Sequence, residues 1–245
     1  MKFYVGLHQP SDAKHFERAF ISVNRIRTRK KEVAAREWIM DSGAFTEIST
    51  HGHYRTSVAE YARHINRWGY AGSGLVAAVA QDWMCEPHIV RKTVLTVAEH
   101  QRLTVERYDD LLALVDDVYV IPVLQGYTVE DYLRHLEMYG ARLAHGAYVG
   151  VGSVCKRNTN IAAIEGILTA IKGIRPDLRL HGFGLKLTAL SSTAVRDLLE
   201  SADSMAWSYS ARKQGRSAND WREAMAFTQK IHRHRAAPVQ LAWSF

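Results

Sequence analysis

A chain of 245 residues with 47% hydrophobic residues and a formal charge of +7 is long enough for one large core, and its surface should attract polyanions. Two cysteines, Cys85 and Cys155, exclude a disulfide framework and a Cys-x-x-Cys metal knuckle, and make a reducing, cytoplasmic compartment the default expectation. Met1-Lys2-Phe3-Tyr4-Val5 leads straight into a strand pattern and no apolar run reaches bilayer length, so neither a signal peptide nor a membrane span is expected.

Phe3 to Leu7 is a short apolar strand, and Trp38 to Met40 is a second that ends on Asp41. The basic run Arg25 to Lys31 between them reads as a loop or irregular helix. Ser57 to Trp68 has helical spacing, with Val58, Tyr61, Ile65 and Trp68 on one face. Leu75 to Ala80 is a strand of small residues, and His88 to Val115 is a long helical stretch broken once. Val118 to Leu124 is an apolar strand of the kind buried on both faces. Thr128 to Tyr139 is helical, with Thr128 at the N-cap and Asp131 three residues on.

The alternation continues with a strand at Tyr148 to Val154, a helix at Ile161 to Ile174, a strand at Leu180 to Leu185 and a helix at Ser191 to Leu199. Met205 to Tyr209 reads as a strand, Trp221 to His232 as a helix and Val239 to Trp243 as a closing strand. Repeated β-α units imply a parallel sheet with right-handed crossovers, and eight candidate strands favour closure. The expected fold is α/β, a single (β/α)8 TIM-like barrel spanning residues 1–245.

Polar motifs stand where the strands run out, and in such a barrel the loops after the strands build the active site. Asp41 is followed by Ser42 and Gly43; it reads as an acid, base or nucleophile, or as a cap for the next turn. Asp82 and Trp83 follow Val76 to Gln81. A carboxylate there suits the N–H edge of a guanine-like base, and the indole either stacks on a ligand or packs in the core. Gln125, next to Gly126, presents a donor and an acceptor at the end of the most buried strand. Gly150 and Gly152 either leave room for a planar ligand or fit a tight strand in a narrow barrel. Asp203 lies in Ala202-Asp203-Ser204-Met205, where a carboxylate at a barrel mouth is costly unless used or paired. Lys186 is open to two readings, a Schiff-base lysine of an aldolase or a partner for phosphate or carboxylate. Arg25, Arg27, Arg29, Lys30 and Lys31, with Arg212, Lys213, Arg216 and the tail from Lys230 to Arg235, line a polyanion track or simply face solvent. No His-x-x-x-His pair occurs, and no metal site is expected.

Taken in order, D-S-G-A-F, Q-D-W-M-C-E-P, P-V-L-Q-G, V-G-V-G-S-V, H-G-F-G and A-D-S-M-A-W-S resemble the tRNA-guanine transglycosylase superfamily. The chain is most similar to the small 7-deazaguanine DNA transglycosylases, from Trp38 to about Arg212. The resemblance implies exchange of guanine in DNA for a 7-deazaguanine base, 7-cyano-7-deazaguanine (preQ0) being the expected one, without cofactor. It implies Asp41 as acid/base, Asp82 and Gln125-Gly126 as readers of the base, Gly150 and Gly152 beneath it, and Asp203 as nucleophile. Two departures stand out. The cysteine cluster of the tRNA enzymes' zinc site has no counterpart, which favours DNA over a tRNA enzyme lacking its zinc module. In strict register the nucleophile's place falls on Ala206, which leaves Asp203 as the carboxylate of that segment. The implied chemistry is a double displacement with net retention, for which paired carboxyls stand about 5 Å apart, on a nucleotide flipped from its stack.

Overall fold

Short apolar runs form the staves of the barrel in the computed structural model, which describes residues 1–157 and 160–236. The strands are β1 (Lys2–Gly6), β2 (Arg18–Ser22), β3 (Glu37–Asp41), β4 (Leu75–Val79), β5 (Tyr119–Ile121), β6 (Val123–Leu124), β7 (Tyr148–Val151), β8 (Arg179–Gly182) and β9 (Ser201–Ser204). All pairings are parallel and form one sheet in the order β5-β4-β3-β2-β1-β9-β8-β7-β6. Its two ends, β5 and β6, are separated only by Pro122, which cannot donate to a ladder. Before the proline, Ile121 accepts from Ala80 N on the β4 side at 3.0 Å; the Pro122 carbonyl itself accepts from Gly150 N of β7 at 2.8 Å. One strand thus serves both neighbours, and the nine segments make a closed ring of eight staves. The expected TIM-like barrel is the observed fold.

Helices cover the outside: α1 (Ala44–His51), α2 (Val58–Trp68), α3 (Pro87–Thr93), α4 (Val97–Leu112), α5 (Val129–Tyr139), α6 (Ile161–Ile174), α7 (Leu187–Leu190), α8 (Thr193–Leu198), α9 (Ala206–Lys213) and α10 (Trp221–Ala236). Helix α2 forms because Tyr61, Ala62, Ile65 and Trp68 recur on one face and are buried, while Ser57 caps its first turn by accepting from Glu60 N. Thr96 and Thr128 close capping boxes with Glu99 and Asp131. The Tyr61 hydroxyl then pins α2 to the Val79 carbonyl of β4 at 2.9 Å. Among the described residues no helix is long and apolar enough to cross a membrane.

The sequence reading fails at three places. Arg18–Ser22 is a strand that went unread, because only Ala19, Phe20 and Ile21 are buried between polar ends. Met205–Tyr209 is not a strand: the stave is Ser201–Ser204, whose small, fully buried side chains carry no apolar signal. Ser204 Oγ accepts from Ala206 N at 3.1 Å, ending the strand and opening α9. Helix α1 was also missed; it starts behind Gly43, whose left-handed φ of 79° turns the chain out of β3. The expected strand Val239 to Trp243 lies outside the described residues.

Candidate active site

Parallel register brings the C-terminal ends of β3, β4 and β9 to one mouth. Ser22 pairs with Asp41, Met40 with Ala78, and Tyr4 with Asp203. Asp41, Asp82 and Asp203 are thereby brought within electrostatic range of one another: the negative charge of Asp203 acts on Asp41, and that of Asp41 acts on Asp82.

Each carboxylate is held differently. The Ser22 hydroxyl and the backbone amides of Ser42 and Gly43 are near enough to Asp41 to favour its charged form. Burial, and then Asp203, push its pKa up to about 6 in spite of those donors. Asp82 is buried, and this raises its pKa to about 7 against the opposing hydrogen bond from Gln125. Gln125 Nε2 donates to Asp82 Oδ2, and Gln125 Oε1 accepts from Ser153 Oγ at 2.7 Å. Ser153 Oγ in turn accepts from Cys85 N at 3.1 Å. Ser153 holds a left-handed φ of 56°, an unusual conformation for a residue with a side chain and one that marks a constrained site.

Asp203 Oδ1 accepts from Gly184 N at 2.9 Å and lies 3.3 Å from His181 Nε2. Both donors come from the H-G-F-G segment at the end of β8. Oδ2 accepts no hydrogen bond among the described residues, which leaves one oxygen clamped and the other available. His181 is fully buried, with Phe20 stacked at 5.6 Å. Its Nδ1 lies 2.8 Å from Ser201 Oγ and 3.1 Å from the Tyr148 hydroxyl. Those hydroxyls serve Nδ1 as donors when Nε2 carries the proton toward Asp203.

The remaining candidates fall into place around this centre. Ser42 is buried beside Asp41. Trp83 is packed with Tyr54, Met84 and Ile89 in a small apolar cluster, and its backbone N donates to Thr104 Oγ1 at 2.8 Å. A side chain at Gly152 would place its Cβ 2.1 Å from Gln125 Nε2, and one at Gly150 would meet the Phe183 ring at 2.3 Å. Gly126 lies under the first turn of α5, where a Cβ would be 2.9 Å from Tyr132 N. Lys186 occupies the N-cap of α7 and is engaged by neighbouring groups. Sequence reasoning missed Ser22, Ser153 and His181 as members; for His181 the signal was already present in H-G-F-G at a strand end.

The basic candidates separate. Arg27 is bound to Glu60 at 2.9 Å and to Thr56, Arg29 to the Glu32 carbonyl at 3.0 Å, and Arg216 to Glu223. Arg25, Lys30, Lys31, Arg212 and Lys213 are exposed and form no ion pair among the described residues. An open cleft of about 520 Å³ lies on the rim, between Asn24, Arg27, Glu47, Arg55 and Glu60. A second cavity of about 330 Å³, at the opposite end of the barrel, is lined by Tyr4 and Glu37 and by Tyr148 and Ser201, the two residues beside His181 Nδ1. No group of three or more His, Cys, Asp or Glu that could hold a metal ion occurs among the described residues.

A search of curated proteins finds no match. The family model DpdA, DeoxyPurine in DNA protein A, matches residues 1–230 and so takes in every strand of the barrel and all three carboxylates. The chain belongs to the DpdA family of DNA-modifying transglycosylases.

Proposed function

We propose that this protein replaces guanine in DNA with a 7-deazaguanine base, 7-cyano-7-deazaguanine, through a covalent intermediate on Asp203. The target nucleotide is flipped out of the stack, because its sugar carbon C1′ is inaccessible inside a duplex. Asp203 Oδ2 attacks C1′ while the bond to guanine N9 breaks, and protonated Asp41 gives its proton to the departing base. The deoxyribosyl ester then holds the sugar. The incoming base attacks C1′ through its ring nitrogen, its proton passes to Asp41, and the ester bond to Asp203 breaks. Two inversions restore the original configuration.

The observation that carries this reading is the meeting of three carboxylates in three different environments. Asp203 keeps one oxygen clamped and one open. Asp41, with a pKa of about 6, is suited to giving and taking a proton near neutral pH. Asp82, fixed by Gln125, faces the N–H edge of the base; a bound guanine-like base supplies the donors that its buried charge lacks.

The test is nucleoside analysis of DNA, with tRNA in parallel, after incubation with 7-cyano-7-deazaguanine. The parent protein should introduce the base into DNA. Asp203→Asn should do so more than about 10³-fold more slowly and form no covalent adduct on denaturing gels. Exchange that persists in Asp203→Asn removes the nucleophile, and exchange confined to tRNA removes the substrate.

A further inference from the structure

His8 follows β1, Arg25 follows β2, and Arg212 belongs to α9, which follows β9. These three strands are adjacent in the sheet, so the three side chains share one sector of the mouth, which includes the strand that carries Asp203. Trp207 Nε1 donates to the Gly6 carbonyl at 2.9 Å and fixes α9 against the end of β1.

The hydrogen bonds of His8 define its tautomer. Arg25 Nη2 lies 3.4 Å from His8 Nδ1, and a guanidinium can only donate, so Nδ1 is the acceptor. Nε2 then carries the proton and donates to Ser208 Oγ at 2.8 Å. Ser208 is buried, so the imidazole is a fixed strut that orients an exposed guanidinium. Arg212 is close enough to join Arg25 in lowering the proton affinity of His8, with burial the first cause. Arg212 and Lys213 also lie over the exposed ring of Tyr209, at 5.6 and 5.1 Å. Among the described residues neither Arg25 nor Arg212 meets a carboxylate, whereas Arg27 and Arg216 do. A cation oriented by a strut anchored on a buried serine, beside a second cation, with no carboxylate partner for either among the described residues, is arranged for an external anion.

We propose that Arg25 and Arg212, with His8 orienting Arg25, seat a DNA backbone phosphodiester that flanks the flipped nucleotide. The assignment rests on the base-exchange reading for its choice of nucleotide. A sugar whose C1′ faces Asp203 carries its own phosphodiesters one sugar's width away, and in this arrangement one of them takes its place in this sector. The seat therefore holds the nucleotide's register without reading its base.

The experiment measures binding of a short guanine-containing single strand across a salt series. Arg25→Ala and Arg212→Ala should each weaken binding about fivefold and lower the slope of log K against log salt by ~0.7. Arg216→Ala removes the same charge from a residue already paired with Glu223, and should change neither. A neutral methylphosphonate at the phosphate flanking the target guanosine should weaken binding to the parent, yet leave the Arg25→Ala/Arg212→Ala double variant unaffected. An unchanged slope, an equal effect of Arg216→Ala, or a methylphosphonate penalty that persists in the double variant overturns the seat. Binding is read without base exchange. A parent that binds in this way and exchanges nothing overturns the proposed reaction and leaves the seat standing.

Discussion

In the proposed reaction His181, a buried polar side chain, acts through Asp203 and not on the substrate. With Nε2 toward Asp203 and Nδ1 toward Ser201 and Tyr148, it links the carboxylate to the barrel interior. We expect His181→Phe to slow exchange by about 10–100-fold through loss of alignment, with DNA affinity unchanged. Stranding Ser201 and Tyr148 should also cost about 1–3 kcal/mol of stability. His181→Gln keeps an amide donor and should recover most of the rate. Equal loss in both variants, measured as kcat beside thermal melting, would show a packing role only. Asp41, Asp82 and Asp203 stand out in the sequence because a carboxylate beside a short strand is conspicuous. Ser22 and Ser153 were not, because a serine is ordinary until its partner is known.

At the scale of the element, β7 and the segment after it decide how the proposed base site is walled. Gly150 and Gly152 point at different neighbours, and the same substitution has different consequences at each. Gly150→Ala pushes on the Phe183 ring and, through it, on the packing around His181. We expect roughly 1–3 kcal/mol of destabilisation there. Gly152→Ala displaces the Gln125 carboxamide and breaks its bond to Asp82. That variant should lose affinity for free 7-cyano-7-deazaguanine by about tenfold or more. Calorimetric base binding and urea unfolding of the two variants separate these effects. If Gly152→Ala binds the base as the parent does, Gln125 is not holding the site. Elements with strong local signals, such as the capped, amphipathic α2 and α5, were read closely from the sequence. β2 and β9 were not, since their short segments mix small or polar residues with few large apolar ones.

Closure of the barrel sets the electrostatics of the whole molecule. It buries Asp82 and covers part of Asp41 within electrostatic range of it, and raises their pKa values to about 7 and about 6. Both values lie above those of the unfolded chain, so folding takes up protons between about pH 4 and 7. The contribution of these groups is greatest below about pH 4 and is lost as the pH rises through 7. Asp82→Asn keeps an oxygen to accept from Gln125 and removes the titration. Relative to the parent, it should gain roughly 2–4 kcal/mol between pH 4 and pH 8, read from urea midpoints. A difference that stays flat across that range would mean that Asp82 is already charged at low pH in the folded protein.

From the sequence alone came the alternation of strand and helix, the barrel, the polar strand ends and the likeness to DNA transglycosylases. These depend on periodicity and residue type, which can be read locally along the chain. Tertiary structure decided how the barrel closes at Pro122, which oxygen of Asp203 is clamped, and which arginines already have partners. Those outcomes rest on contacts such as Asp82 with Gln125, 43 positions apart, and His8 with Ser208, 200 apart. The second pair exists only once the sheet has closed β9 onto β1, and no local pattern encodes which residues of either pair will face one another.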